Sequence, residues 1–191
     1  MKCVILAGGR GTRMSELTKK VPKPMISILG KPILHHIMSH YSKYGFKEFI
    51  IAAGYKKKII IDYFKEKKFS EWKIKVVDTG LNTMTGGRLK RLEKYLKKET
   101  FMMTYGDGLS DVNLKKLLKF HMKNKKISTL TSVRPPARFG AIKIIKNKVT
   151  YFKEKSKLDE GWINGGFFVF EPSIFKFIKG DKTFLERDPL Q

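Results

Sequence analysis

Short apolar runs of strand length alternate with segments whose apolar residues recur at helical spacing through the first 125 residues, and this alternation limits the fold more than any other feature. The apolar runs are Cys3-Val4-Ile5-Leu6, Glu48–Ala53, residues 74–77 and Phe101–Tyr105. Between them, Ile33, Leu34, Ile37, Met38 and Tyr41 mark one helix face, with Pro32 near its first turn and Gly45 at its end. Residues 56–67 repeat the pattern with Ile59, Ile60, Tyr63 and Phe64, and a third helix places Leu89, Leu92 and Leu96 inward. Asn113 caps a further helix to about residue 125. Repeated strand–helix units predict a parallel sheet with right-handed crossovers. Strands then become denser, at Ser128–Val133, Ala141–Ile145, residues 149–153 and residues 166–170, with Asn147 suited to a hairpin turn and a last helix over residues 172–178. The prediction is an α/β, Rossmann-like fold: a mixed, mostly parallel sheet flanked by helices, with a β-rich insertion in the later part. No repeat, linker or low-complexity tract breaks the chain, so residues 1–191 read as one domain.

Open parallel sheets bind ligands beyond the carboxyl ends of their strands. The unusual residues of this chain stand there: Gly8-Gly9-Arg10-Gly11-Thr12-Arg13, Gly54-Tyr55, Asp78-Thr79-Gly80 and Gly106-Asp107-Gly108. Three glycines within four positions let a backbone turn sharply and bring successive N–H groups onto an anion. Arg10 and Arg13 add charge and Thr12 a hydroxyl, which a purely structural turn does not need. The loop therefore reads as a phosphate cradle. It is neither the GxxxxGK[ST] loop of ATPases and GTPases nor the dinucleotide fingerprint GxGxxG, because Gly9-Arg10-Gly11 is followed by Thr12, Arg13 and Met14.

The chain carries 41 Lys and Arg against 17 Asp and Glu, a formal net charge of +24. Spread along the whole length, this charge reads first as solvated helix faces and second as attraction for anionic ligands such as nucleotides, sugar phosphates or nucleic acid. Lys23 is framed by Pro22 and Pro24, and each proline is expected to hold its predecessor extended. A lysine so fixed can neutralise charge on a phosphate under transfer. Asp107, between two glycines at a strand end, offers a carboxylate to a phosphate-bound Mg²⁺; the plain alternative is an Asp-Gly turn. Glu154-Lys155 and Asn164-Gly165-Gly166 flank neighbouring strands and could hold the hydroxyls and phosphate of a second substrate, or be an ordinary solvated pair and turn. The four histidines lie on helix patterns without metal-ligand spacing. The one cysteine, Cys3, sits in the first strand and forms no internal disulfide, which fits a reducing cytoplasm. No run approaches the ~18 apolar residues of a membrane span, and no signal peptide is recognisable.

Leu6-Ala7-Gly8-Gly9-Arg10-Gly11-Thr12-Arg13 followed by Pro22-Lys23-Pro24-Met25 resembles the signature of the sugar-1-phosphate nucleotidylyltransferases. Asp78-Thr79-Gly80, Met84-Thr85-Gly86-Gly87-Arg88, Thr104-Tyr105-Gly106-Asp107-Gly108, Arg138-Phe139-Gly140-Ala141 and Trp162-Ile163-Asn164-Gly165-Gly166 are similar to the glucose-1-phosphate cytidylyltransferase branch. The resemblance implies the nucleotide-diphospho-sugar transferase fold with a sugar-binding insertion. The implied reaction takes CTP and α-D-glucose 1-phosphate to CDP-glucose and pyrophosphate, feeding polysaccharide sugars, with Mg²⁺ as cofactor. It assigns Leu6, Ala7, Gly8, Gly9, Gly11, Thr12, Arg13, Lys23, Thr83, Arg88 and Gly106 to the nucleotide. Asp107 falls to the metal, and Gly140, Glu154, Lys155 and Asn164 to the sugar phosphate. Arg13, Lys23 and Asp107 would carry the catalysis. A dTTP- or UTP-using enzyme is the near alternative; a non-catalytic basic protein binding nucleotides or nucleic acid is the distant one. Nucleic acid and membrane are not expected as partners, and self-association stays open.

Two departures stand out. Only residues 65–72 fill the place of a longer segment between the second helix and third strand of the family. The chain also stops at Gln191, where family members continue into a part bearing a second metal-binding aspartate, so residues 1–191 are expected to be a truncated form with weak or no turnover.

Overall fold

A computed structural model describes residues 1–11, 18–67, 69–135, 141–153 and 161–190. Strand β1 (Lys2–Ala7) leads through a 3-10 turn, Lys23–Met25, to a small hairpin of β2 (Ser27–Ile28) and β3 (Lys31–Pro32). Then come α1 (Ile33–Lys43), β4 (Glu48–Ala53), α2 (Lys57–Glu66), β5 (Lys73–Asp78), α3 (Thr85–Lys90), α4 (Glu93–Leu96), β6 (Phe101–Tyr105) and α5 (Leu114–Asn124). Strands β7 (Ser128–Val133), β8 (Ala141–Ile145), β9 (Lys148–Lys153) and β10 (Ile163–Phe170) precede a 3-10 helix, Pro172–Phe177.

The main sheet runs β5-β4-β1-β6-β10-β7. Strand β1 pairs in parallel with β4 and β6, β4 in parallel with β5, and β10 antiparallel with β6. A mostly parallel sheet needs cover on both faces, and side-chain alternation supplies two cores. Cys3, Ile5, Phe49, Ile51, Met102 and Val169 face Leu34, Ile37, Met38 and Tyr41 of α1 and Ile60 of α2. Val4, Leu6, Ile50, Ala52, Met103, Phe168 and Phe170 face Leu89, Leu92, Leu96 and Leu185. Burying each such side chain contributes about 1.5–3 kcal/mol.

Contacts divide the chain into two compact units, Met1–Thr129 with Phe167–Gln191, and Leu130–Gly166. Within the smaller unit, β8 and β9 form an antiparallel hairpin turned by Lys146 and Asn147, with φ of 46° and 61°. Left-handed conformations at both central residues make the type I′ turn that matches strand twist.

Local structure departs from expectation at three places. Lys23 is not extended: it opens the 3-10 turn, Pro22 alone being extended (ψ 147°), with Met25 N–H donating to Pro22 O at 2.8 Å. The single helix expected after Gly87, carrying Leu89, Leu92 and Leu96, is instead two short helices, and α3 already begins at Thr85. The last helix is 3-10 rather than α, and ends at Phe177.

Candidate active site

The carboxyl ends of β1 and β6 and the start of α3 converge on one cavity of about 380 Å³ in the larger unit. The glycine loop forms its floor. Gly106 N–H donates to Leu6 O at 2.9 Å, so the end of β6 lies directly on the end of β1. A Cβ at Gly106 would come within 2.9 Å of both Leu6 O and Pro24 Cγ. Glycine there is a packing requirement. Gly11 has φ +65°, the left-handed region that suits glycine, and its carbonyl accepts from the Thr18 hydroxyl at 3.3 Å.

Arg88 underlies the loop. Its side chain is 4% exposed and fills the space that a Cβ would take at Gly8 (2.1 Å from Nη1) and at Gly54 (2.4 Å). Nη1 donates to Thr79 Oγ1 at 2.8 Å and to Gly80 O at 2.7 Å, and Nη2 to Leu81 O at 3.4 Å. Burial, and then the Arg91 charge, pull the guanidinium below its ordinary value, while Asp78 opposes them. The buried cation thus organises residues 79–81 as well as lining the cavity.

Lys23 and Asp107 meet on the cavity wall, Nζ to Oδ2 at 2.7 Å. The 3-10 turn delivers the lysine and the β6 end delivers the carboxylate. At the mouth, Arg10 Nη2 donates to Asn82 Oδ1 at 3.2 Å.

Phe184 lines the cavity from residues 181–187, a segment that packs on α3. Asp181 takes a two-point contact from Arg91, Nε at 2.8 Å and Nη2 at 2.6 Å, which holds its carboxyl below the usual range. Asp181 O accepts from Met84 N–H at 2.8 Å and Thr183 O from Gly87 N–H at 3.2 Å. This approach explains the two glycines of α3. A Cβ at Gly87 would lie 2.4 Å from Asp181 O, and one at Gly86 2.8 Å from Thr183 O. Leu185 is fully buried below, and Phe184 turns into the cavity with Arg187 over its ring at 4.6 Å.

Of the residues expected to hold a nucleotide, Leu6, Ala7, Gly8, Gly9, Gly11, Lys23, Thr83, Arg88 and Gly106 line this cavity, as does Asp107. Thr12 and Arg13 lie outside the described residues, as do Gly140, Glu154 and Lys155. Asn164 belongs to the smaller unit, where its Oδ1 accepts from Gly166 N–H at 2.7 Å. Pro24, Met84, Thr85, Tyr105 and Phe184 also line the cavity and were not singled out as ligand contacts. The first four stand inside motifs visible in the sequence. Phe184 has no local signal.

Among the described residues no three His, Cys, Asp or Glu side chains cluster to hold a metal. Asp107 alone offers a carboxylate at the cavity. That suits Mg²⁺, which keeps several waters and takes further oxygens from phosphates, and does not suit a closed all-protein site. No described helix is long and apolar enough to cross a membrane.

The nucleotidyl transferase family profile matches residues 2–190. Glucose-1-phosphate cytidylyltransferase of Salmonella typhimurium is 47% identical over 212 aligned positions that cover all of this chain and 82% of the relative. The aligned span exceeds the 191 residues here, so the relative carries residues inside it that this chain lacks. A probable glucose-1-phosphate cytidylyltransferase of Bacillus subtilis is 40% identical, with all of this chain and 83% of the relative covered. The crystal structure of HddC from Yersinia pseudotuberculosis superposes with a TM-score of 0.77 at 29% identity, covering 98% of this chain and 84% of that one; the same protein has been solved with GMP-PN. With its glycine loop, Lys23 and Asp107 gathered at one set of strand ends and the family profile spanning nearly every residue, the chain belongs to the nucleotidyl transferase family.

Proposed function

We propose that the cavity binds CTP and that the protein transfers its cytidylyl group to α-D-glucose 1-phosphate, giving CDP-glucose and pyrophosphate. The observation that carries this reading is the convergence of Gly8, Gly9, Gly11, Lys23, Arg88 and Asp107 on one cavity. The names of the 47% and 40% identical relatives supply the base and the sugar.

The chemistry follows from the residue types. A phosphate oxygen of the sugar phosphate forms a bond to the α-phosphorus of CTP. The bond from that phosphorus to the bridging oxygen breaks, and pyrophosphate leaves in line with the electron pair. The nucleophile is already an anion, so no general base is required. Catalysis reduces to positioning and charge neutralisation. Backbone N–H groups of the glycine loop take the phosphates. Lys23 supplies an ammonium to the growing negative charge, and Arg13 is assigned the same task by resemblance. Asp107 would hold Mg²⁺, which polarises phosphoryl oxygens. The assignment of Gly140, Glu154, Lys155 and Asn164 to the sugar phosphate rests on family resemblance. The single buried thiol supports a reducing cytoplasm as the setting.

The test is a parallel assay of CTP, dTTP, UTP and ATP, each with glucose 1-phosphate and Mg²⁺, reading both nucleotide affinity by calorimetry and nucleotide-sugar formation by chromatography. CTP is expected to bind tightest and to give CDP-glucose. A preference for dTTP overturns the choice of base, and binding of none of the four overturns the site.

A further inference from the structure

Glu186 is exposed to solvent, outside the cavity, and bonds two of the residues that line it. Its Oε1 accepts from the Tyr105 hydroxyl at 2.6 Å, and its Oε2 from the Thr85 hydroxyl at 2.6 Å. Those partners lie 81 and 101 residues away in the chain. Tyr105 is followed directly by Gly106 and Asp107 at the end of β6. Thr85 opens α3, two residues after Thr83 and three before Arg88. Thr85 Oγ1 also accepts from Leu185 N–H at 3.0 Å, which commits its proton to the carboxylate.

We propose that Glu186 is a positioning residue for the nucleotide site, its two carboxylate oxygens tying the Tyr105–Asp107 wall to the Thr83–Arg88 wall and so setting the width of the cavity. This rests on the reading that the cavity holds a nucleotide. Both partners donate O–H, so the group between them must accept twice in diverging directions. An ionised carboxylate does this, and its O–H···O⁻ bonds at 2.5–2.7 Å are of the strong, charge-assisted kind. A glutamine offers one acceptor and an NH₂ in place of the other. The tie is itself anchored: Leu185 beside it is fully buried, and Asp181 is clamped by Arg91. Displacing a reacting group by ~1 Å can cost on the order of 10²-fold in rate.

Calorimetric titration with CTP tests this on wild type, Glu186→Ala, Glu186→Gln, Tyr105→Phe and the double variant Glu186→Ala/Tyr105→Phe, with circular dichroism confirming the fold. Glu186→Ala is expected to weaken binding about tenfold or more, Glu186→Gln less, and Tyr105→Phe several-fold. The double variant should be no weaker than Glu186→Ala through loss of the Tyr105–Glu186 bond, which the first substitution has already removed. Full additivity of the two losses, or unchanged binding in Glu186→Ala, overturns the proposal and leaves the nucleotide reading intact. Failure of the wild type to bind CTP, dTTP, UTP or ATP overturns the nucleotide reading and the positioning role with it. Should Glu186→Ala not fold, Tyr105→Phe alone decides: unchanged binding there overturns the tie.

Discussion

Lys23 Nζ lies 2.7 Å from Asp107 Oδ2, joining two residues 84 positions apart on the wall of the cavity. Their side chains are 31% and 39% exposed. An ion pair so open to solvent is worth about 0–1 kcal/mol of stability. Lys23→Ala should therefore leave the urea midpoint nearly unchanged and lower the rate of CDP-glucose formation by about 10²–10³, or ~3–4 kcal/mol in the barrier, by analogy with loss of one preorganised donor. Initial rates and unfolding curves on the same preparation check both halves.

Asp107 is the one carboxylate on the cavity wall among the described residues. Asp107→Asn keeps its shape and removes its charge. Wild-type affinity for CTP should rise on adding Mg²⁺ and fall again on chelation with EDTA. The variant should show a much smaller response to either, read by calorimetry with and without the ion.

Gly54 is more constrained than its surface turn suggests. A Cβ there would sit 2.4 Å from Arg88 Nη1, 2.5 Å from Gly80 O and 2.8 Å from Gly8 O. Two of those atoms are backbone and the third belongs to a buried, hydrogen-bonded guanidinium. Gly54→Ala should destabilise the fold by about 1–3 kcal/mol, the usual cost of overpacking, and weaken CTP binding by shifting the glycine loop. Gly9→Ala has no atom within 4 Å of the new methyl and serves as the packing control. Denaturant melts of the two variants separate them.

Acid should loosen this protein through identifiable carboxyls. A hydrogen bond from Lys57 and one from Gly80 N–H hold Asp78 below its ordinary 3.8. The Arg91 hydrogen bond does the same for Asp181, ordinarily at 3.8, and the Lys2 hydrogen bond for Glu99, ordinarily at 4.5. The unfolded chain therefore binds protons more readily than the folded one. The stability involved is present in full above those ordinary values and is lost as pH falls through the lower folded values. Thermal melts between pH 6 and pH 2 should show the decline beginning near pH 4, and Asp181→Asn should flatten part of it.

The sheet was readable because its strands are short apolar runs with ligand-type residues at their ends. Glu48–Ala53 and Phe101–Tyr105 stand in the structure with the bounds expected from sequence. Asn113 caps α5 as its residue type suggests, Oδ1 accepting from Lys116 N–H at 2.9 Å. The turn at Lys23 was misread because proline's bias on its predecessor is a preference, which the Met25–Pro22 hydrogen bond outweighs. Gly86 and Gly87 in the first turn of α3 admit the backbone of residues 181–183, at a cost to the helix propensity of α3. The part of the cavity that Phe184 lines was not legible. Phe184 and Glu186 belong to no motif, and what places Glu186 is contact with partners 81 and 101 residues upstream.

The cavity floor comes from residues 6–11 and Phe184 lines it from a segment far downstream, so the site joins parts of the larger unit that are distant in the chain. Domains fold during synthesis at roughly 5–20 residues per second, amino-terminal portions first. For some ten to thirty seconds, then, a growing chain displays a glycine loop before Phe184 can line the cavity, and Arg88 beneath it without the backbone of residues 181–183 against α3. A nucleotide bound there would act as a clasp between these two segments, adding about 2.7 kcal/mol to the unit's stability at a concentration one hundred times Kd.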